Sequence, residues 1–435
     1  MKISIVGTGY VGLITGVTFA KLGNNVVLLD VIKEKVDMVN RGQSPIYEKG
    51  LDDLLKKVVE AELLRATTDM NDAVLSSDIT FVAVGTPSGE DGSIDLSYIN
   101  SAVMDIASAL RLKESYHLIV IKSTVIPGTT ESLIPLIEQK SDKRVGRDID
   151  VAMNPEFLRE GVALEDSMSP DRIVLGVLNK RSEDMLKSLY LPLDAPILSV
   201  SPTTAEMIKY ASNAFLATKI SFSNEMANIC DRFGINIDEV MNGIGMDHRI
   251  SPYFLNAGAG FGGSCFPKDV KALISASLDR RYKPRLLEEV IKLNDRQPLR
   301  MIELAERYTG DLKDRRVAVL GLSFKKDTDD IRESRATILV KTLLEKGVKV
   351  IAYDPQAMKN FRKIFPEIEY AESPEGALSM ADICMIQADW DEFKRLDYDR
   401  YNLELIVDGR KTLNGLNIQT PHVGIGRPYK KRDLS

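Results

Sequence analysis

A thiol, several ammonium groups, an amide and three carboxylates are spaced along this chain in patterns that could do covalent chemistry. Cys265 lies in the run Gly260-Phe-Gly-Gly-Ser-Cys-Phe-Pro-Lys-Asp269, just ahead of Lys268 and Asp269. Glycines let a backbone approach a ligand closely. A thiol in such a loop is a candidate nucleophile, and a nearby ammonium favours its thiolate. Taken by itself, the same run is also a surface turn with an incidental cysteine. Lys209 and Asn213 are four residues apart in a helix-patterned stretch, so they stack on one face, one turn apart. An ammonium and an amide aimed at one point can stabilise an oxyanion; an exposed polar stripe is the alternative. Glu156 and Glu160 recur at the same spacing in Asn154-Pro-Glu-Phe-Leu-Arg-Glu-Gly161. If a helical turn starts after Pro155 they share a face, and such a pair can divide acid and base work. A solvated helix start reads the same way.

These groups need elements to position them. Lys2 to Val6 is a short apolar strand followed at once by Gly7-Thr-Gly-Tyr-Val-Gly12. A helix pattern from about Val11 to Leu22 and a second strand, Asn25 to Leu29, close on Asp30. Strand, glycine turn, helix, strand and acid is the dinucleotide-binding pattern. Gly7 permits the turn, Gly9 the approach of a pyrophosphate and Gly12 close helix–strand packing. The helix N-terminus faces the phosphates. Asp30 would accept ribose hydroxyls, which favours NAD over NADP. Further strands at Ile79 to Val84, His117 to Ile121 and Asp150 to Met153 place Thr86, Thr124 and Glu156 just past their carboxyl ends, where open parallel sheets bind ligands.

Thr203 to about Arg232 has no proline or glycine and reads as one helix of about 45 Å, long enough to connect two domains. Dimerisation through it is expected. Beyond the thiol loop and two further helices, Arg316 to Leu320 opens a second strand–helix alternation that lacks Gly-x-Gly-x-x-Gly. Its loop carries Lys325, Arg332 and acids, which suits a different phosphorylated ligand. The fold expected is α/β, two Rossmann-like parallel-sheet domains joined by a long central helix. The divisions are 1–200, 201–300 and 314–435, with a site in the cleft between the two sheets.

Composition excludes several classes. At 435 residues the chain is too long for one core. A net charge of −6 with no dense basic block argues against nucleic acid as partner. Three cysteines and three histidines without ligand spacing predict no metal site and no disulfide framework, which suits the cytoplasm. Glycines at 7, 9, 12 and 16 interrupt the N-terminal apolar run, so neither a signal peptide nor a membrane span is expected. The basic tail Lys430 to Arg432 reads as a solvated terminus.

Together the stretches Asn154–Gly161, Pro170–Gly176, Gly260–Asp269 and Asp329–Ser334 resemble the UDP-glucose 6-dehydrogenases of the UDP-glucose/GDP-mannose dehydrogenase family, over nearly the whole chain. The resemblance implies oxidation of a nucleotide sugar at C6 to the carboxylate with two NAD, by a dimer or larger assembly built on the middle helix. It implies a catalytic set of Cys265, Lys209, Asn213, Glu156, Glu160, Thr124 and Asp269. Cofactor contacts would be Gly7, Gly9, Tyr10, Val11, Gly12, Asp30, Lys35, Thr86, Thr124, Glu160, Lys268 and Arg332. Sugar-nucleotide contacts would be Glu156, Phe157, Leu158, Lys209, Asn213, Phe254, Leu255, Asn256, Gly258, Gly262 and Lys325, with Arg249 reaching over from a second subunit. Gly161 after Glu160 and the Pro-Asp-Arg run point to UDP-glucose. GDP-mannose and UDP-N-acetylmannosamine are the rival substrates, and a nucleotide-binding regulator without turnover is the rival from another class.

Overall fold

The computed structural model describes residues 1–430 and divides into two compact units, Met1–Ser212 and the chain from Asn213 onward. Of the basic tail, Lys430 ends the last strand, and Lys431 and Arg432 lie outside the described residues.

The first unit is built on eight strands: β1 Lys2–Val6, β2 Asn25–Leu29, β3 Leu64–Thr67, β4 Ile79–Val82, β5 His117–Ile121, β6 Ile149–Met153, β7 Ile173–Gly176 and β8 Ile197–Val200. Their order is β3-β2-β1-β4-β5-β6-β7-β8, parallel except where β6 meets β7. Helices cover both faces, so the central strands are apolar runs buried on both sides rather than alternating ones. Val6 pairs with Leu29 and with Val82, which brings the carboxyl ends of β1, β2 and β4 to one edge. The turn after β1 and the acid after β2 therefore meet there. The helix Tyr10–Lys21 is buried at every position from Gly12 to Ala20. Gly16 belongs to that packing: a Cβ there would lie 2.6 Å from Leu28 Cδ2.

The second unit carries β9 Arg316–Leu320, β10 Lys349–Tyr353, β11 Glu369–Tyr370, β12 Ile383–Ile386, β13 Leu405–Asp408, β14 His422–Gly424 and β15 Arg427–Lys430. Their order is β11-β10-β9-β12-β13-β14-β15, parallel up to the closing antiparallel hairpin. That hairpin is tethered by Asp238, which holds Arg427 at 2.8 Å, and by a bond from Ile237 N–H to the Gly426 carbonyl. The helix Pro202–Phe233 runs through the boundary between the units, as the unbroken pattern predicted. No helix among the described residues is long and apolar enough to cross a membrane.

Candidate functional site

The dinucleotide turn is built by sterics. Gly7 takes φ +103°, and a Cβ there would lie 2.6 Å from the Ala83 carbonyl oxygen. A Cβ on Gly12 would sit 1.9 Å from the Gly7 oxygen. Gly9 differs, since nothing lies within 4 Å of where its Cβ would be. It caps the helix that starts at Tyr10, and no side chain caps that helix. Open space beside free helix-end N–H groups fits a pyrophosphate. Asp30, 9% exposed, receives bonds from Thr8 N–H (2.9 Å), Thr8 Oγ1 (2.5 Å) and Ile32 N–H (3.0 Å), with Lys35 Nζ at 4.0 Å. Burial opposes its ionisation, but the Thr8 and Ile32 bonds and the Lys35 charge outweigh it and hold the carboxyl below its ordinary range. The residues of this turn therefore suit NAD. Val11 follows Tyr10 in the helix, and Thr86 and Thr124 lie on the irregular segments after β4 and β5.

The acid loop corrects an expectation. No helical turn follows Pro155: residues 154–159 are irregular and the next helix starts at Ala163. The Glu156 carboxylate explains this, because Oε2 accepts the N–H of Leu158 at 2.6 Å and folds the loop onto its own side chain. Gly161 then turns the chain at φ +86°. Oε1 of Glu156 meets Lys209 Nζ at 2.9 Å, both groups buried. Burial would raise the Glu156 pKa, but Lys209, the Leu158 bond and the charge of Lys122 reverse the effect and leave it below the ordinary value. Lys122, a lysine that carried no role in the sequence reading, is 7% exposed and donates to Asn154 Oδ1 at 2.8 Å. Burial brings its pKa down to about 8, with Glu156 opposing the shift. Phe157 lies beneath two cations, the Arg172 guanidinium at 4.1 Å and Lys209 Nζ at 5.5 Å from its ring centre.

In the second unit Cys265 caps the helix Phe266–Asp279, with Pro267 in its first turn. Its sulfur is thus beside the positive end of a helix dipole, the end that favours an anion. Ser264 Oγ lies 3.7 Å from it. Asp269, buried in the first turn, accepts from Asn213 Nδ2 at 2.6 Å and pairs with Lys268 at 2.8 Å. The glycines before the thiol also pack the loop against the rest of its unit. Cβ atoms on Gly258, Gly262 and Gly263 would strike the Gly409 oxygen (2.5 Å), the Glu333 oxygen (2.3 Å) and the Phe324 ring (2.7 Å). Protein backbone and ring atoms already press against all three positions, which by itself requires glycine there. Bonds from Gly258 N–H to Asn224 Oδ1 and from Gly263 N–H to the Arg332 carbonyl fix the loop further.

A cavity of about 340 Å³ opens beside this loop, lined among others by Asn256, Gly258, Lys394, Arg410 and Lys411. Arg410 was missed by sequence reasoning. It donates to the carbonyls of Gln387 (2.8 Å) and Gly260 (2.6 Å), and burial lowers its pKa to about 10. Its signal was the polar Asp408-Gly-Arg410 run at a strand end, a strand the periodicity did not reveal. Leu255 is buried, and Phe254 holds φ +62° with its ring edge-on to Phe266. Lys325 lies over Phe324 at 5.5 Å, while Arg332 and Arg249 are exposed and forked onto Asp330 and Asp247. No group of three or more metal-ligating side chains occurs among the described residues.

Comparison with known proteins gives these arrangements a context. Residues 1–194, 203–296 and 318–415 match the NAD binding, central and UDP binding domains of the UDP-glucose/GDP-mannose dehydrogenase family. A UDP-glucose 6-dehydrogenase from Haloferax volcanii is 48% identical over 94% of this chain and 97% of its own. One from Bacillus subtilis is 41% identical over 98% and 93%. Among solved structures, a UDP-glucose dehydrogenase from Pyrobaculum islandicum is 40% identical, covers 98% of this chain and 97% of its own, and superposes with a TM-score of 0.92. A UDP-D-ManNAc dehydrogenase from Pyrococcus horikoshii, 29% identical, covers 98% and 99% with a TM-score of 0.87. With three successive domains matched and relatives similar along almost their full length, the chain belongs to the UDP-glucose/GDP-mannose dehydrogenase family.

Proposed function

We propose that this chain oxidises UDP-glucose at C6 to UDP-glucuronate, with two NAD consumed per sugar. The observation that carries the chemistry is the Asn213–Asp269 bond. One turn beyond the thiol, a buried carboxylate holds an amide on the long helix, as a site that must steady an oxyanion requires. The relatives supply the substrate, since those at 41–48% identity bear the name UDP-glucose 6-dehydrogenase.

Bound NAD supplies the hydride acceptor for each of the two oxidations. Lys209 assists removal of the C6 hydroxyl proton in the first, and its bond to Glu156 keeps it oriented. The Cys265 sulfur adds to the aldehyde carbon while a proton goes to the carbonyl oxygen, giving a thiohemiacetal. Loss of the second hydride and of the hydroxyl proton leaves a thioester, and water cleaves its C–S bond to give the carboxylate and free thiol. Lys209 and Asn213 stabilise the oxyanions. Asp269 commits its oxygens to Asn213 and Lys268, which supports an anchoring role. The base for hydrolysis then falls to Glu156 or Glu160, with water held by Thr124. Asn256, Gly258, Arg410 and Lys325 bind the UDP moiety, and Lys35, Thr86, Lys268 and Arg332 bind NAD.

The enzyme works as a homodimer or larger assembly. Phe215, Phe222 and Ile229 recur about every two turns on the long helix, Phe233 follows one turn later, and all four are exposed, which supports self-association there. Cys265 must stay reduced, which supports a cytoplasmic setting.

NADH formation measured side by side with UDP-glucose, UDP-N-acetylmannosamine and GDP-mannose tests the reading. Two NADH per UDP-glucose, no free aldehyde and little turnover of the others are expected. No turnover of any sugar would leave the regulator reading. Cys265→Ala should lower acid formation on the order of a thousandfold or more. Full acid product from that variant sinks the role of the thiol.

A further inference from the structure

Glu48 lies on the irregular stretch ahead of the helix Leu51–Glu60, between the exposed Tyr47 and Lys49, yet is itself 5% exposed. A buried carboxylate is costly unless donors surround it. Three do, and none belongs to its own segment. Oε1 accepts the N–H of Ala163 at 2.7 Å, and Oε2 accepts the N–H of Gly161 at 2.8 Å. The Tyr10 hydroxyl also donates to Oε2 and lies 3.0 Å from the Gly161 nitrogen. Tyr10 is the first residue of the helix at the dinucleotide turn, and Gly161, held at φ +86°, directly follows Glu160. One carboxylate therefore clamps the cofactor turn to the end of the acid loop.

We propose that Glu48 is a positioning residue for the dehydrogenase reaction, fixing the loop that carries Glu160 in register with the NAD turn. This rests on the function proposed above. No helix holds the acid loop between Pro155 and Gly161, so its placement depends on side-chain bonds. Glu156 sets one end through Leu158 and Lys209. Asp166 holds Arg159 through its N–H at 2.8 Å and its guanidinium at 2.6 Å, and Glu48 ties the end beyond it, at Gly161 and Ala163, to the NAD turn. Losing Glu48 leaves Glu156–Lys209 and Arg159–Asp166 in place but unties Gly161, next to Glu160, from the NAD turn, and small displacements of reacting groups cost large factors in rate.

The test compares wild type, Glu48→Ala and Glu48→Gln in the full-length protein. Equilibrium NAD binding, UDP binding, kcat, each KM and the melting temperature are measured. Gln keeps an acceptor for Ala163 but turns an NH2 group toward the Gly161 N–H, so it should reproduce the effect with less loss of stability. Both variants should bind NAD about tenfold more weakly and lose about tenfold in kcat, with UDP affinity within about twofold of wild type. Variants that melt earlier but keep wild-type NAD affinity and kcat overturn the proposal and leave Glu48 a structural brace. If Glu48→Ala does not fold, Glu48→Gln decides by the same readouts. Wild type that forms no NADH from UDP-glucose rejects the function itself, and NAD affinity still reads the clamp.

Discussion

The two α/β units open with the same turn and finish it differently. Gly7 and Gly321 both follow the first strand of their sheets, at φ +103° and +92°, and a Cβ on either would strike backbone of the neighbouring strand's end, Ala83 or Ala388. Each turn is braced by an acid just past the second strand, Asp30 or Asp354. Asp30 receives three bonds. Asp354, fully buried, receives those of Leu322 N–H, Ser323 N–H and Oγ, Gln356 N–H and Ala357 N–H, and its Oδ2 also takes the Trp390 indole N–H at 3.1 Å. In the first unit the helix starts at Tyr10, beside the turn; in the second it waits until Arg335. The acid is thus a brace of the turn first. The ribose-binding role proposed for Asp30 rests on the open Gly9 and the helix end beside it, neither of which adjoins Asp354.

Replacing the acids should separate brace from ligand. Asp354→Ala leaves four buried N–H groups and the part-buried Gln356 N–H without an acceptor and should cost on the order of 4 kcal/mol or more by denaturant unfolding. NAD affinity of whatever folds should be unchanged. Asp30→Ala should cost less, about 1–2 kcal/mol, while raising KM for NAD about tenfold and narrowing the preference over NADP. Equal losses of stability with no change in KM would erase the contrast drawn between the turns.

A smaller, pH-dependent difference also separates the units. His117, buried in β5, bonds Thr80 Oγ1 at 2.8 Å and faces Lys113 Nζ at 3.0 Å. Burial and then the Lys113 charge push its pKa down from 6.5 to about 3. The unfolded chain takes up the proton first, so stability from the neutral imidazole holds above pH 6.5 and is lost as pH falls toward 3. The slope is at most about 1.4 kcal/mol per pH unit. Hydrogen exchange at pH 7 and pH 5 should show the first unit loosening in acid, and His117→Gln should flatten the response.

Much of this was legible in the chain. The strand ends, the long helix and the first glycine turn follow from local patterns of apolar residues and glycine. The thiol helix was announced by Pro267, since proline is favoured in a first helical turn, but glycine so dominates the preceding residues that the run reads as loop. The strands β3, β7, β8, β11, β13, β14 and β15 escaped because segments of two to four residues are too short to show a periodic signature. The Glu156–Glu160 spacing misled, because a helix-compatible interval was overridden by a carboxylate bonding its own loop.

By itself the sequence determined the elements, the dinucleotide turn and the list of chemical groups, since each depends on residues close in the chain. Tertiary structure alone decided which groups meet. Glu156 pairs with Lys209 and Asn213 with Asp269 across more than fifty residues. Glu48 reaches Gly161 only through the packing of three separate segments. Spacing cannot report such pairings, because hydrogen bonds between buried groups depend on distance in space and carry no period along the chain.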